Sequence, residues 1–344
     1  MKKIAILLLI ALCIGVFAGC SGDVVVIGGC TCPTGSHNNP TQPSQPVPEG
    51  ALKTGLAIVA NTTGSVNGEK ADYDVTLVAV LVDDDGIIRD CIIDSIGTTV
   101  KFDATGTITS DVTAAIQSKN ELGDAYNMVA YGGAIAEWYV QADALAQFAI
   151  GKTVAQLRSG AVDANGYAPA GSDLASSATI KLGGYVSAIE VAVSNAQHLG
   201  AQGGDELRLA AIPSLASSVN GTAQLDCDVT ALTVNGGRIT SCYIDSLQAK
   251  VTFGADGVIT GGISEAVETK NQLGERYGMV SWGGAIAEWN QQAASFAAYV
   301  TGKTAAEVAG ITITEGGTPA NADLATSVTI KIDAFQDLIA KALA

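Results

Sequence analysis

The chain has 344 residues, of which 48% are apolar and 15% charged, and its formal net charge is −16. That length is enough for two domains with their own cores, and the apolar content excludes a chain disordered throughout. The acidic surface repels nucleic acid and anionic lipid, so no nucleic-acid partner is expected.

Residues 1–19 read as a lipoprotein signal peptide. Lys2 and Lys3 form a basic start, and Ile4–Val16 is an apolar run too short to span a membrane comfortably. The run closes on Phe-Ala-Gly before Cys20, which is similar to the bacterial lipobox, whose cysteine is lipidated after cleavage. Loss of the two leader lysines takes the net charge from −16 to −18. The expected location is the extracytoplasmic face of the cell membrane, with the chain lipid-anchored through Cys20. Residues 20–54 then carry the lipidated cysteine and a tether. Five of the eight prolines lie in Pro33–Pro48 among Ser, Thr, Asn and Gln, a composition with little to bury.

Cysteine usage limits the chemistry. The seven are Cys13, Cys20, Cys30, Cys32, Cys91, Cys227 and Cys242, and the only histidines are His37 and His198. Neither the spacing of c-type haem attachment nor that of an iron–sulfur or zinc site is present, and no metal ligand set is expected. Cys227 and Cys242 flank one expected hairpin and could pair diagonally if the geometry allows.

The rest of the chain repeats. "GGAIAEW" occurs identically around Trp138 and Trp289, 151 residues apart, and the same offset links Cys91 to Cys242, Lys119 to Lys270 and Lys152 to Lys303. A period this long means tandem domains, at 55–200 and 201–344, with "HLGAQGGDE" as the joint. Each copy begins with alternating strands: "DVTLVAVLV", a turn at Asp83–Gly86 and "IIRDCIID", then "DVTALTV", a turn at Asn235–Gly237 and "RITSCYID". A short helix follows, with Val112, Ala115, Ile116 and Leu122 on one face, and Ile263, Ala266, Val267 and Leu273 in the second copy. A longer helix places Ile135, Trp138, Ala142, Leu145 and Ala149 on one face, matched by Ile286, Trp289, Ala293, Phe296 and Val300. Gly151 and Gly302 stop it. A last helix carries Tyr185, Ile189 and Val193, or Phe335, Ile339 and Ala342. Strands first and helices later predict an α+β class.

Several motifs have plain structural readings. "GKT" lacks the upstream glycine of a phosphate-binding loop, and Thr153–Gln156 and Thr304–Glu307 instead read as capping boxes. Asp83–Gly86 lacks the later ligands of a calcium loop and reads as a hairpin turn. Trp138 and Trp289 sit at core spacing. No Ser-His-Asp or Cys-His set is available for histidine-based hydrolysis, and no catalytic residue is assigned.

One motif remains. "DLASSATI" at Asp173–Ile180 returns as "DLATSVTI" at Asp323–Ile330. A helix start would account for either copy alone. Yet Asp-x-x-Ser/Thr-Ser-x-Thr recurs in both, on a chain with an export leader. It resembles the flavinylation motif of FMN-binding domains, in which a flavin transferase of the ApbE type moves FMN from FAD onto the last threonine as a phosphoester. The residues that match are Thr179 with Asp173, Ser176, Ser177 and Ala178, and Thr329 with Asp323, Thr326 and Ser327. Val328 departs from the motif's alanine. With the lipobox, "GKT" and the tandem copies, the chain after the tether is similar to PplA-type extracellular electron-transfer lipoproteins.

The resemblance implies two tandem FMN-binding-type domains carrying two covalent FMN groups. It also implies a quinone-linked dehydrogenase in the membrane as electron donor and extracellular acceptors such as ferric iron. A covalent link keeps an exported flavin from being lost by diffusion, and the isoalloxazine supplies the redox chemistry. Lys181 and Lys331 follow each threonine by two residues and could soften a phosphate charge. A surface solute-binding or adhesion lipoprotein with duplicated domains is the alternative. Whether turnover occurs on the chain itself is left open.

Overall fold

Runs of Val, Ile, Leu and Thr alternate along the first part of each copy, and such side chains fit a pleated surface. The computed structural model describes residues 50–344. The expected leader, the expected lipidation site Cys20, Cys30, Cys32 and the expected tether up to residue 49 lie outside the described residues. The described part is a mixed α and β structure with two antiparallel sheets and helices. The first sheet has strands β1 (Lys53–Asn61), β2 (Lys70–Val82) and β3 (Ile88–Lys101) in that order. The second has β4 (Glu206–Ser214), β5 (Thr222–Asn235), β6 (Arg238–Phe253) and the short β7 (Ile259–Gly261).

The helices follow each sheet. The first half has α1 (Lys119–Leu122), α2 (Met128–Gly132), α3 (Trp138–Ala149), α4 (Val154–Ala161), α5 (Asp173–Ser177) and α6 (Gly183–Ser194). The second half repeats them as α7 (Lys270–Leu273), α8 (Met279–Gly283), α9 (Trp289–Val300), α10 (Ala305–Ala309), α11 (Ala322–Ala325) and α12 (Asp333–Ala342).

The central strands are buried on both faces, which explains their nearly continuous apolar sequence. In β2, Tyr73, Val75, Leu77, Ala79 and Leu81 point to one side, while Val78, Val80 and Val82 point to the other. The first set meets Leu225, Cys227, Val229 and Ala231 of β5, so the two sheets share one core. The second set packs under α3 and α6, and the second half has a matching core under α9 and α12. The order is helices, sheet, sheet, helices. Phe102 and Phe253, 151 positions apart, stack at the centre with ring centroids 3.9 Å apart and planes 3° from parallel.

The crossing contacts are reciprocal. Asn220 Oδ1 accepts from Ile108 N at 3.0 Å, and Asn67 Oδ1 accepts from Ile259 N at 2.8 Å. Val267 N donates to Ala60 O at 2.9 Å, adding a segment of the second half to the edge of β1. The Lys341 ammonium pairs with Glu121 of the other half at 2.5 Å.

Four features differ from the sequence reading. The first strand of each half, β1 and β4, was not expected. The short helix begins only at Lys119 or Lys270, because Ser118 and Thr269 form capping boxes with Glu121 and Gln272. Val112, Ile116 and Val267 lie in the irregular chain before it and pack against the inter-sheet core. Ile135 and Ile286 precede the long helix and are exposed, since Glu137 and Glu288 occupy its N-caps. Cys227 and Cys242 form no disulfide: Cys227 faces the inter-sheet core and Cys242 the helix layer, so the sheet separates them. Burial pushes the Cys242 thiol up to about 12, which keeps it protonated and unreactive.

Other expectations match. The capping boxes at Thr153 and Thr304 are present, both tryptophans are buried, and Asp83–Gly86 is a turn closed by Gly86 N to Asp83 O. Gly236 and Gly237, at φ 55° and 75°, make the corresponding two-residue turn in the second half, a conformation that favours glycine.

Because the halves share one core, Phe253→Ala should destabilise both together, by about 3–5 kcal/mol. Urea unfolding followed by circular dichroism and by tryptophan emission should give one coincident, left-shifted transition. Asp245, in β6 beneath the start of α7, accepts from Asn271 N at 3.0 Å, and burial raises its carboxyl to about 6. The unfolded carboxyl loses its proton near pH ~4. The group's contribution is therefore fully present below that pH and is lost as pH rises through about 6. Asp245→Asn keeps the acceptor and removes the charge. It should match the parent at pH 4 and exceed it at pH 8 by about 1–3 kcal/mol in the same unfolding assay.

Candidate functional site

The site starts from helix α3 and its repeat α9. Glu137 closes the N-terminal end: its Oε2 accepts from Met128 N at 2.8 Å and its Oε1 from Val129 N at 3.0 Å. Glu288 does the same for Met279 N and Val280 N at 2.8 and 3.1 Å. The next residue, tryptophan, turns into the core. Trp138 meets Tyr185 edge-on at 5.8 Å and donates to its hydroxyl at 3.1 Å, while Trp289 meets Phe335 at 5.9 Å. The Lys119 ammonium lies 5.1 Å from the Trp138 ring and that of Lys270 4.8 Å from the Trp289 ring, distances at which a cation is attracted to the ring face.

One turn after the glutamate comes a fully buried glutamine. The Gln141 side-chain nitrogen donates to Ala136 O at 2.7 Å. Its oxygen accepts from Thr179 N at 2.8 Å, Ile180 N at 3.1 Å and the Thr179 hydroxyl at 3.2 Å. Gln292 repeats this with Ala287 O at 2.7 Å, Thr329 N at 2.7 Å, Ile330 N at 3.2 Å and the Thr329 hydroxyl at 3.1 Å. Three donors around one atom and a carbonyl opposite the other fix the amide's orientation.

Neither threonine is a helix start. The cap of α5 is Ser172, whose side chain accepts from Ala175 N, and the cap of α11 is Asn321, which accepts from Asp323 N and Leu324 N. Thr179 and Thr329 come after these helices end, in the bend before α6 and α12, and both are exposed. Asp173 and Asp323 are exposed in the first turn. Ser176 and Thr326 each return their hydroxyl to the backbone carbonyl three residues earlier, at 2.6 and 2.7 Å. Ser177 and Ser327 donate to backbone carbonyls at 3.4 and 3.3 Å. The motif residues of each half are thus brought together on one short turn.

Ala178 and Val328 point inward, 1% and 0% exposed, into the helix–sheet cores. Their size difference falls inside those cores, and the threonine that follows is exposed in both halves. Lys181 and Lys331 are exposed in the same bend.

The sequence reading missed the glutamate–glutamine pair. Its signal was present: Glu-Trp-x-x-Gln occurs in both copies, at Glu137–Gln141 and Glu288–Gln292. A buried polar side chain held three residues from a core tryptophan needs partners, and these are the threonine bends.

An amide oxygen orients the threonine hydroxyl but is too weak a base to remove its proton. Among the described residues, the hydrogen-bond partners of each hydroxyl include no carboxylate or imidazole that could act as a base. Substituting the hydroxyl would remove only its own donated bond; the two backbone bonds to the glutamine would stay and hold the bend.

Among the described residues no group of three or more His, Cys, Asp or Glu side chains could hold a metal ion. No described helix is long and apolar enough to cross a membrane. A cavity of about 550 Å³ lies between β6, α9 and the joint at Gln197–Leu199, lined by Cys242, Tyr243, Asn290 and Ala294 among others and by neither threonine. Comparison with protein-family models, curated proteins and solved structures returned no match to this chain.

Gln141→Leu should leave Thr179 N and Ile180 N without acceptors and destabilise the protein by about 1–3 kcal/mol. Hydrogen exchange at those two amides should accelerate far more than at β2, with the matching effect for Gln292→Leu at Thr329 and Ile330.

Proposed function

We propose that the chain is an extracytoplasmic, lipid-anchored electron carrier, built from two FMN-binding-type domains, each holding FMN through a phosphoester on its motif threonine. The observation that carries this reading is the pair of exposed threonines, Thr179 and Thr329, each with its hydroxyl oriented by a buried glutamine and with no carboxylate or imidazole partner among the described residues. When bound, the flavin supplies reversible electron uptake and release. In loading, the threonine oxygen forms a new bond to the FMN phosphorus of FAD. The diphosphate bond breaks, AMP leaves, and the hydroxyl proton passes to the ApbE-type transferase or to solvent. Lys181 and Lys331 sit close enough in sequence to temper the ester's remaining negative charge, as exposed lysines near a phosphate do. A quinone-linked dehydrogenase in the membrane is the proposed donor, and extracellular acceptors such as ferric iron the proposed sink.

Thr179 belongs to the helix layer outside the first sheet and Thr329 to that outside the second. Three layer spacings of roughly 10 Å separate such positions. Each flavin would therefore exchange electrons with its own partners at its own face.

The cavity of about 550 Å³ favours a second reading, a solute-binding lipoprotein, since pockets of that size take small organic molecules. Colour separates the two: a flavoprotein is yellow and bleaches on reduction.

Co-expression with an active flavin transferase should yield an intact mass with two FMN adducts, falling to one with Thr179→Ala or Thr329→Ala and to none with both. A bare mass for the parent chain, beside a control substrate that is modified, contradicts the reading.

A further inference from the structure

Tyr131 and Trp282 are 88% and 91% exposed, at equivalent places in the one-turn helices α2 and α8. Val129 and Val280 on the same turns are exposed as well, so each ring belongs to an apolar cluster, the kind of surface that marks a ligand or partner, rather than standing singly. The backbone beneath each ring is fastened. Glu137 and Glu288 hold the first two N–H groups of these helices. The turn then closes on itself through Ala134 N to Met128 O at 3.2 Å and Ala285 N to Met279 O at 3.1 Å. Ile135 and Ile286, each 56% exposed, lie just beyond the closure and widen the apolar margin.

This segment is tied to the threonine of its own half. The glutamine that accepts from the threonine hydroxyl donates to Ala136 O or Ala287 O at the end of the segment. One amide group bridges the two, so the hydroxyl and that carbonyl lie within roughly 8 Å of each other. A phosphate with a five-carbon ribityl chain spans on the order of 8 Å as well.

The two copies also differ in a coordinated way. Where the ring is tyrosine, the residue before the helix is Asn127; where it is indole, that residue is Gly278. A Cβ at Gly278 would come within 2.5 Å of Trp282 Cδ1, so the indole rests on the bare glycine backbone. The larger ring is accommodated while its outer face stays open.

We propose that Tyr131 and Trp282 are stacking platforms for the isoalloxazine carried by the threonine of the same half; this rests on the flavin reading above. The platform is an aromatic face, a planar π-system is its natural occupant, and the one such group the reading supplies is tethered to a threonine that a single buried amide joins to the end of this segment. Both residues act as positioning residues, setting the ring's orientation and its exposure to water.

The test uses the full chain co-expressed with the transferase, with each preparation checked by intact mass. In Thr179→Ala protein the remaining flavin sits on Thr329 beside Trp282. Indole quenches flavin emission on stacking, and a stack of about 1 kcal/mol covers the ring in roughly five molecules of six, so Trp282→Ala should raise emission roughly sixfold. Trp282→Phe should keep the flavin's restricted rotation in an anisotropy measurement, and the melting temperature should not move in either variant because the side chain is exposed. Tyr131→Ala should act likewise in Thr329→Ala protein. Loaded protein whose emission and anisotropy ignore both substitutions overturns the platform and leaves covalent flavin standing. Loss of vesicle co-sedimentation with unchanged emission assigns the rings to a lipid surface and also overturns it. Absence of any adduct overturns both readings.

Discussion

A single amide oxygen in each half, that of Gln141 or Gln292, decides what the outer surface presents. It is buried, it gathers two backbone N–H groups and one hydroxyl, and its own nitrogen is anchored on a carbonyl of the preceding turn. Burying an amide is tolerated only when its hydrogen bonds are made, and here each bond made fixes part of the site. The threonine bend is held against the long helix, the α2 or α8 turn is held to the same point, and the threonine itself stays exposed. The tryptophan three residues before the glutamine anchors this helix face in the core, with a lysine over its ring.

The doubled sheet is the frame that allows this to occur twice. Each half contributes a sheet whose inner face would be exposed if the half stood alone, and pairing the inner faces leaves both outer faces for helices. The stacked Phe102 and Phe253 and the reciprocal asparagine contacts show the same solution used from both sides. A core shared in this way leaves each threonine with the separate outer helix core of its own half.

Much of the fold was legible in the sequence because it follows from local periodicity. The paired strands, the long helix, its glycine stop and the capping boxes depend on neighbours within a turn or a pleat. What was not legible depends on distant partners. The first strands, "KTGLAIVAN" and "ELRLAAIPS", have weak alternation and are fixed by pairing with β2 and β5. Val112 and Ile116 fit a helical face on paper but pack into the inter-sheet core from irregular chain. Cys227 and Cys242 lie on opposite faces of the second sheet, which only the strand register reveals. At the site, the threonine motif stood out because it recurs, whereas Gln141 and Gln292 have no chemical signature until their burial is known. The inward direction of Ala178 and Val328 likewise shows why that difference between the copies leaves both hydroxyls equally presented.

What these two hydroxyls carry in the native protein is the decisive quantity. Protein purified from its own host, digested with trypsin and separated with detection at flavin wavelengths, tests this most directly. The peptides containing Thr179 and Thr329 should be the coloured ones, each heavier than its bare mass by one esterified FMN. Colourless peptides at their unmodified masses would contradict the account.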